Sequence, residues 1–332
     1  MDNKLSGKSI LFISPKTFGY EKLIIGKLID LGANVIYFDD RPSESTFSKI
    51  VIRLFPFLLR PLILNYFKSL IINVKNQKID YIFCIKQECF PKFLLETLFS
   101  EHPAAKKIFY TWDSFSNNKN AISNLDCFDS SASFDNADSE RFGIKHRPLF
   151  YFDELSNNVG FSSHKRYEIS FIGSVHMHRY KFIKKIIENM GPNYNSFIYL
   201  YVPSYFVYFM RKIFLFKYYG SSSKSEFEFK PLSRSKVRDV FLSSKAIIDF
   251  AHHNQNGLTM RSIEALGAKK KLITNNKAIM DYDFYNPKNI LVLSDGEFEI
   301  SHDFINSDYY DVSDDIYYRY SIEGWLNELF DF

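Results

Sequence analysis

Residues 249–276, DFAHHNQNGLTMRSIEALGAKKKLITNN, concentrate the side chains best suited to chemistry in this 332-residue chain. An apolar strand ends at Phe250 and gives way to a polar loop carrying His252, His253, Asn254, Gln255 and Gly257. A helix with Arg261 and Glu264 near its start follows, then the strand Leu-Ile-Thr. Gly257 permits a tight entry into that helix, whose first N–H groups have no partner within the helix and face the strand ends. A phosphate fits such a place. Glu264, one to two turns in, is positioned to accept hydrogen bonds from ribose hydroxyls.

A second candidate lies in SFIGSVHMHRY, residues 170–180. Gly173 and Ser174 end a strand, and Arg179 falls in the first turn of the next helix. A glycine there lets backbone N–H groups approach a phosphate, and Arg179 would add a charge-assisted contact. The alternative is an ordinary strand-to-helix turn with a surface arginine. His176 and His178 have metal-compatible spacing only in an extended segment, and no acidic partner is near, so no metal is expected. The first loop, SPKTFGY, precedes Asp39 at dinucleotide-like spacing from Gly19. It has one glycine rather than three and lacks a P-loop ending, which argues for a structural turn.

The elements that must position these residues follow from apolar runs. Strands are expected at 9–14, 34–39, 81–85, 107–112, 127–131 and 147–150, with helices at 20–31 and 91–100. Short, fully apolar strands of this kind imply a parallel sheet covered on both faces. A second series has strands at 168–172, 196–202, 246–250, 271–274 and 289–293, and helices near 179–189, 205–216, 235–243 and 258–266. The expected fold class is α/β: two Rossmann-like domains facing across a cleft, with a C-terminal helix packing back through Trp325, Leu326, Leu329 and Phe330. The expected divisions are 1–152, a polar linker at 153–166, 167–305, and a helical tail at 306–332.

Bulk composition narrows the function classes. Hydrophobic residues make up 46% and charged residues 24%, as in globular proteins. Forty-two basic against 38 acidic side chains give +4, too balanced to require a nucleic-acid partner. Cys84, Cys89 and Cys127 lack metal-type spacing and read as free thiols. Residues 1–8 are polar and run into a strand, which predicts no signal peptide and a cytoplasmic location. Residues 50–72 and 197–219 approach membrane composition, but their internal charges and prolines disfavour spanning helices. They read either as buried helices or as basic, aromatic helices resting on an anionic membrane surface, the first being the stronger candidate.

GLTMRSIEALGAKKKLITNN, residues 257–276, resembles the donor-binding segment of GT-B glycosyltransferases, and in detail that of CgeB-like proteins of lipopolysaccharide and capsule clusters. FYTWDSF at 109–115 and FDNAD at 134–138 resemble two further motifs of that family, and FIG at 171–173 its first strand of the second domain. The resemblance covers most of the chain. It implies a nucleotide-sugar donor held mainly by the second domain and a glycan or lipid-linked glycan acceptor held by the first. Glu264 would hold the ribose, with Gly257, Leu258, Thr259 and the helix start near the diphosphate. Arg179 and Arg261 would neutralise the leaving diphosphate, a role GT-B enzymes usually fill without a metal or other cofactor, with Gly173 and Ser174 as further donor contacts. His252 and His253 are donor contacts or ordinary polar loop residues.

For the base that takes the acceptor proton, Asp113 directly follows a strand; Asp135 and Asp138 also follow one, although Asp135 suits a helix cap equally well. The tripeptide Asp281-Tyr282-Asp283 is similar to the metal-binding DxD of another glycosyltransferase class, but arises readily by chance. Alternatives on the same architecture are a nucleotide-sugar epimerase, a polyol-phosphate transferase, or a non-catalytic bilobed ligand-binding protein.

Overall fold

The computed structural model describes residues 4–42, 59–156, 166–175, 177–191, 194–251, 257–294, 296 and 298–332. The chain divides into two compact units, Met1–Leu149 with Ile322–Phe332, and Phe150–Ser321. Each is built on its own all-parallel sheet, the two-Rossmann-like arrangement of the GT-B type.

The sheet of the first unit comprises β1 (Ser9–Ile13), β2 (Asn34–Phe38), β3 (Tyr81–Ile85), β4 (Lys106–Thr111), β5 (Ser130–Ser133) and β6 (Lys145–His146), in the order β2-β1-β3-β4-β5-β6. Beyond Ser9, the central strands SILFI and YIFCI are apolar, as strands of a parallel sheet buried on both faces are. The helix Arg60–Val74 buries Ile63, Phe67, Leu70, Ile71 and Val74 at helical spacing, and Phe67 stacks on Phe90 at 4.0 Å. The described part of the 50–72 segment is therefore a helix with one face buried in the core, while Leu62 and Ile72 are exposed; residues 50–58 lie outside the described residues. The final strand is Lys145–His146 rather than 147–150, since Arg147 still donates its N–H to Ser133 but Pro148 has none to offer. The strand expected at 127–131 starts at Ser130, because Leu125–Cys127 is wound into a 3-10 turn.

The helix Ile322–Phe330 returns to this unit. Trp325 is fully buried, with Tyr110 edge-on at 5.0 Å and Phe83 at 5.8 Å.

The second unit has β7 (Tyr167–Ser174), β8 (Ser196–Tyr201), β9 (Ser244–Ile248), β10 (Lys271–Thr274) and β11 (Ile290–Val292), ordered β11-β10-β9-β7-β8. Of the expected linker, Asp153–Ser156 is a short helix within this unit and residues 157–165 lie outside the described residues. The helix expected over 205–216 breaks at Leu215 into Tyr205–Phe214 and Phe216–Tyr219. Among the described residues no helix is long and apolar enough to cross a membrane.

In each sheet the first strand lies between the second and the third, so the chain reverses its winding at β1/β3 and again at β7/β9. Strand order of this kind opens a crevice at the carboxyl ends of the two central strands.

Two packing predictions follow. Trp325→Ala removes an aromatic with no exposed surface and should cost about 3–5 kcal/mol, read as a lowered midpoint in urea denaturation. At Gly267 an added Cβ would lie 2.4 Å from the ring of Tyr151, whose hydroxyl donates to the Tyr317 carbonyl at 2.9 Å and so cannot yield. Gly267→Ala should therefore destabilise by roughly 1–3 kcal/mol in the same measurement.

Candidate functional site

Pairing between β7 and β9 runs as far as Ser170↔Ile247, whereas β7 stays paired with β8 through Ser174↔Tyr201. Beyond Ser170 the two central strands are no longer joined by their own backbone, and Arg179 occupies the gap. From the helix Met177–Met190 its Nη1 donates to the Ser174 carbonyl and its Nη2 to the Phe250 carbonyl, both at 2.8 Å. Its Nε is buried without a hydrogen-bond partner. Burial lowers the Arg179 pKa, the charge of Asp249 opposes that shift, and the charge of Arg261 reinforces it. Gly173 is tightly enclosed: a Cβ would sit 3.0 Å from the Phe171 ring and 3.7 Å from Arg179 Nη1. The arginine is thus a clamp across the switch point rather than a surface side chain.

The donor-like segment is fixed to the same place by a buried acid. Asp249, directly after β9, accepts from the Thr259 hydroxyl at 2.8 Å and from the Ser262 hydroxyl at 2.9 Å. Thr259 is also the N-cap of the helix Met260–Gly267, accepting from the Ser262 N–H. One carboxylate therefore ties the helix start to the strand end. Residues 252–256, including His252 and His253, lie outside the described residues, as does His176. Both flanks of 252–256 are pinned by the asparagines that follow β10. Asn275 pairs with both the N–H and the carbonyl of Ala251, and Asn276 donates to the Gly257 carbonyl at 3.3 Å. Leu258 is buried in the unit.

Glu264 is buried one turn into that helix. Arg261 Nη1 lies 3.8 Å from its carboxylate without hydrogen-bonding to it, and the Arg261 guanidinium rests over the Phe241 ring at 4.5 Å. Burial raises the Glu264 pKa; Arg261 and Arg234 pull it down, while Glu154 and Asp249 add to the rise. Glu154 itself pairs with Arg234 at 2.6 Å, and Arg234 stacks on Phe152 at 4.4 Å. Arg179, Asp249, Arg261 and Glu264 form one interacting charge cluster. Asp249, Arg234 and Glu154 were not singled out from sequence. The acid immediately after a strand was the available signal for the first, and the other two come from distant segments.

In the first unit, Asp113 follows β4 and meets Lys86 Nζ at 3.1 Å and Asn117 Nδ2 at 3.0 Å. Lys86 also pairs with Glu88 at 3.0 Å. Lys86 and Gln87 hold positive φ of 76° and 56°, strained for residues with side chains. Asn118 and Asn120 keep this turn in place, donating to the carbonyls of Lys86 and Gln87 respectively, while Asn124 donates to the Gln87 side chain. Beside it, fully buried Asp40 accepts from the Glu88 N–H at 2.5 Å through one oxygen, and its other oxygen has no partner. Burial pushes the Asp40 carboxyl well up; the Glu88 N–H opposes this, and the charges of Glu88 and Asp39 add to it. Asp40, Lys86 and Glu88 are the side chains that sequence reasoning missed, although each follows a legible strand.

Asp135 caps the helix Asn136–Phe142 through the N–H groups of Ala137 and Asp138. Asp138 accepts the Phe115 N–H at 2.8 Å and so ties down the loop carrying Asp113. Both have structural duties in the first unit. Asp283 of the DxD-like tripeptide is bound by Arg319 at 3.0 Å and by the Tyr320 hydroxyl at 2.6 Å. Exposed His178 meets the Tyr218 hydroxyl at 3.2 Å. Among the described residues no group of three or more His, Cys, Asp or Glu is arranged to hold a metal.

No family model matches the chain, and no curated protein matches its sequence. Solved structures do match its fold over nearly its whole length. HepE of Anabaena, determined with UDP and glucose, is 10% identical with a TM-score of 0.57, covering 98% of each chain. The lipopolysaccharide outer core galactosyltransferase WaaB, in its apo form, is 12% identical with a TM-score of 0.52, covering 97% of this chain and 99% of its own. OtsA, also apo, is 10% identical with a TM-score of 0.61, covering 97% and 99%. The shared property is the fold.

The raised pKa of Glu264 has a signed consequence. The folded state holds this proton more tightly than the unfolded chain, so any stability the group contributes is present at low pH and lost as pH rises through its folded pKa. Glu264→Gln should therefore raise the thermal midpoint, with a larger gain at about pH 8 than at about pH 5. An unchanged or lowered midpoint at the higher pH would show that Arg261 and Arg234 outweigh burial.

Proposed function

We propose that this chain is a metal-independent glycosyltransferase that moves a sugar from a nucleotide-sugar donor to a growing, lipid-linked bacterial surface polysaccharide, in the manner of the CgeB-like proteins it resembles. The observation that carries the reading is the cluster at the β7/β9 switch point, where Arg179, Arg261 and buried Glu264 converge on a capped helix start. The fold is shared with HepE, determined with UDP and glucose, which supports a nucleotide as the ligand.

On this reading Glu264 accepts from the ribose hydroxyls. The helix start at Thr259, with Gly257 and Leu258 before it, receives the diphosphate together with Gly173 and Ser174. His252 and His253 belong to the donor side. As the sugar–phosphate bond breaks, negative charge grows on the diphosphate. Arg261, whose Nη1 has no hydrogen-bond partner, and Arg179, whose Nε has none, are the cations that stabilise it in place of a divalent metal. Asp113 is the group assigned to the acceptor proton, with Lys86 holding its carboxylate. Asp138 ties down that loop through the Phe115 N–H, and Asp135 caps the helix that carries Asp138.

The test is transfer from a panel of labelled nucleotide sugars to lipid-linked glycans extracted from a surface-polysaccharide producer. Label entering the lipid fraction supports the reading; label recovered as an isomerised free nucleotide sugar makes the protein an epimerase instead. Asp113→Asn should lower kcat by about 10²- to 10⁴-fold with little change in donor affinity. Glu264→Ala should abolish transfer while the circular dichroism spectrum is retained.

A further inference from the structure

Among the described residues, the second unit carries an exposed apolar face. The helix Tyr205–Phe214 and the short helix Phe216–Tyr219 bury Tyr208 and Tyr219, and the Tyr208 hydroxyl donates to the Ser222 carbonyl at 3.1 Å. Arg211 donates to the Val175 carbonyl and Lys212 to that of Ser222, so the inward side is fixed. The outward side presents Tyr205, Phe206, Phe209, Ile213, Phe214 and Phe216, and Phe206, Phe214 and Phe216 are 67, 73 and 71% exposed. Scattered exposed hydrophobics are ordinary, but six large ones on one continuous stripe are not.

The charges around the stripe select its partner. From residue 189 to residue 225 the chain has no Asp or Glu, yet it carries Arg211, Lys212, Lys217 and Lys224. Lys217 and Lys224 are exposed, and Lys224 lies over the Tyr205 ring at 4.5 Å, at the edge of the stripe. Lys181, on the neighbouring helix, lies over Tyr218 at 5.4 Å. Glu226, the first acid beyond the segment, is engaged by the Tyr180 hydroxyl and by Lys184. A second copy docking by two-fold symmetry would bring this basic rim against itself, with no acid between residues 189 and 225 to pair it. An anionic lipid surface supplies both an apolar layer for the rings and negative headgroups for the lysines.

We propose that the 205–217 segment is a monotopic membrane anchor, its aromatic stripe seated at the headgroup–acyl boundary of an anionic bilayer and its lysines on the phosphates. The site lies in the second unit. It is independent of the donor site: vesicle binding requires neither nucleotide nor acceptor, so either reading can fail alone.

The test is co-sedimentation of the full chain with phosphatidylcholine vesicles and with vesicles that also contain phosphatidylglycerol. Salt-sensitive binding to the anionic vesicles is expected. A Phe206→Ser, Phe209→Ser, Phe214→Ser, Phe216→Ser variant should bind at least about tenfold more weakly, given the apolar area it removes. Should that variant misfold, Lys217→Glu with Lys224→Glu leaves the stripe intact and should still lower binding to anionic vesicles. In Phe214→Trp, the added tryptophan emission should shift to the blue when vesicles are mixed in. The proposal is overturned if the unmodified chain stays in the supernatant with anionic vesicles, or if it binds them equally well without the four phenylalanines. It is likewise overturned if light scattering finds a dimer that those substitutions dissolve, which would make the stripe an interface between copies.

Discussion

The second unit depends on how two diverging parallel strands are held together at their carboxyl ends. Where β7 and β9 part, the carbonyls of Ser174 and Phe250 need donors, and burying them unpaired would cost about as much as a lost hydrogen bond. The planar fork of Arg179 reaches both at once, which a lysine ammonium cannot reproduce with the same geometry. The clamp has a further effect: it brings a guanidinium to the crevice mouth, where Asp249 and Arg261 act on its charge. Structural need therefore places a cationic side chain at the crevice.

The same economy runs through the neighbouring loop. Asp249 receives two hydroxyls and so sets the helix start; Asn275 and Asn276 fix the two flanks of residues 252–256. Around them, Glu264 is kept buried against its solvation preference, and in the first unit Asp40 keeps one carboxylate oxygen unpaired beside a strained Lys86–Gln87 turn. Acids and backbone held at such cost are what binding sites retain and structural cores discard.

Much of this was legible in the sequence, and what was missed has physical reasons. Apolar runs such as SILFI and KLIT located the strands because a parallel sheet buries both faces, and the donor-like segment was visible because its residues are contiguous. Strand ends were less legible, as at Lys145–His146, where the ladder stops at a proline that the apolar pattern alone did not weigh. The Asp40–Lys86–Glu88 group could not be read, since it assembles from the ends of two strands far apart in sequence. Nor does periodicity say which amphipathic helix finds a partner. The 50–72 and 197–219 segments look alike in composition, yet the described part of the first buries Phe67 in a core while the second leaves Phe206, Phe214 and Phe216 in solvent.

The central claim is that the β7/β9 crevice is an anion site for a nucleoside diphosphate, and isothermal titration calorimetry tests it most directly. Nucleoside diphosphates would be titrated, with and without a chelator, into the unmodified chain and into Arg261→Gln. Selective binding of one base, indifferent to chelator and weakened at least about tenfold by the loss of one charge-assisted contact, is the predicted result. Absence of binding by every nucleoside diphosphate, or binding that Arg261→Gln leaves unchanged, would contradict it.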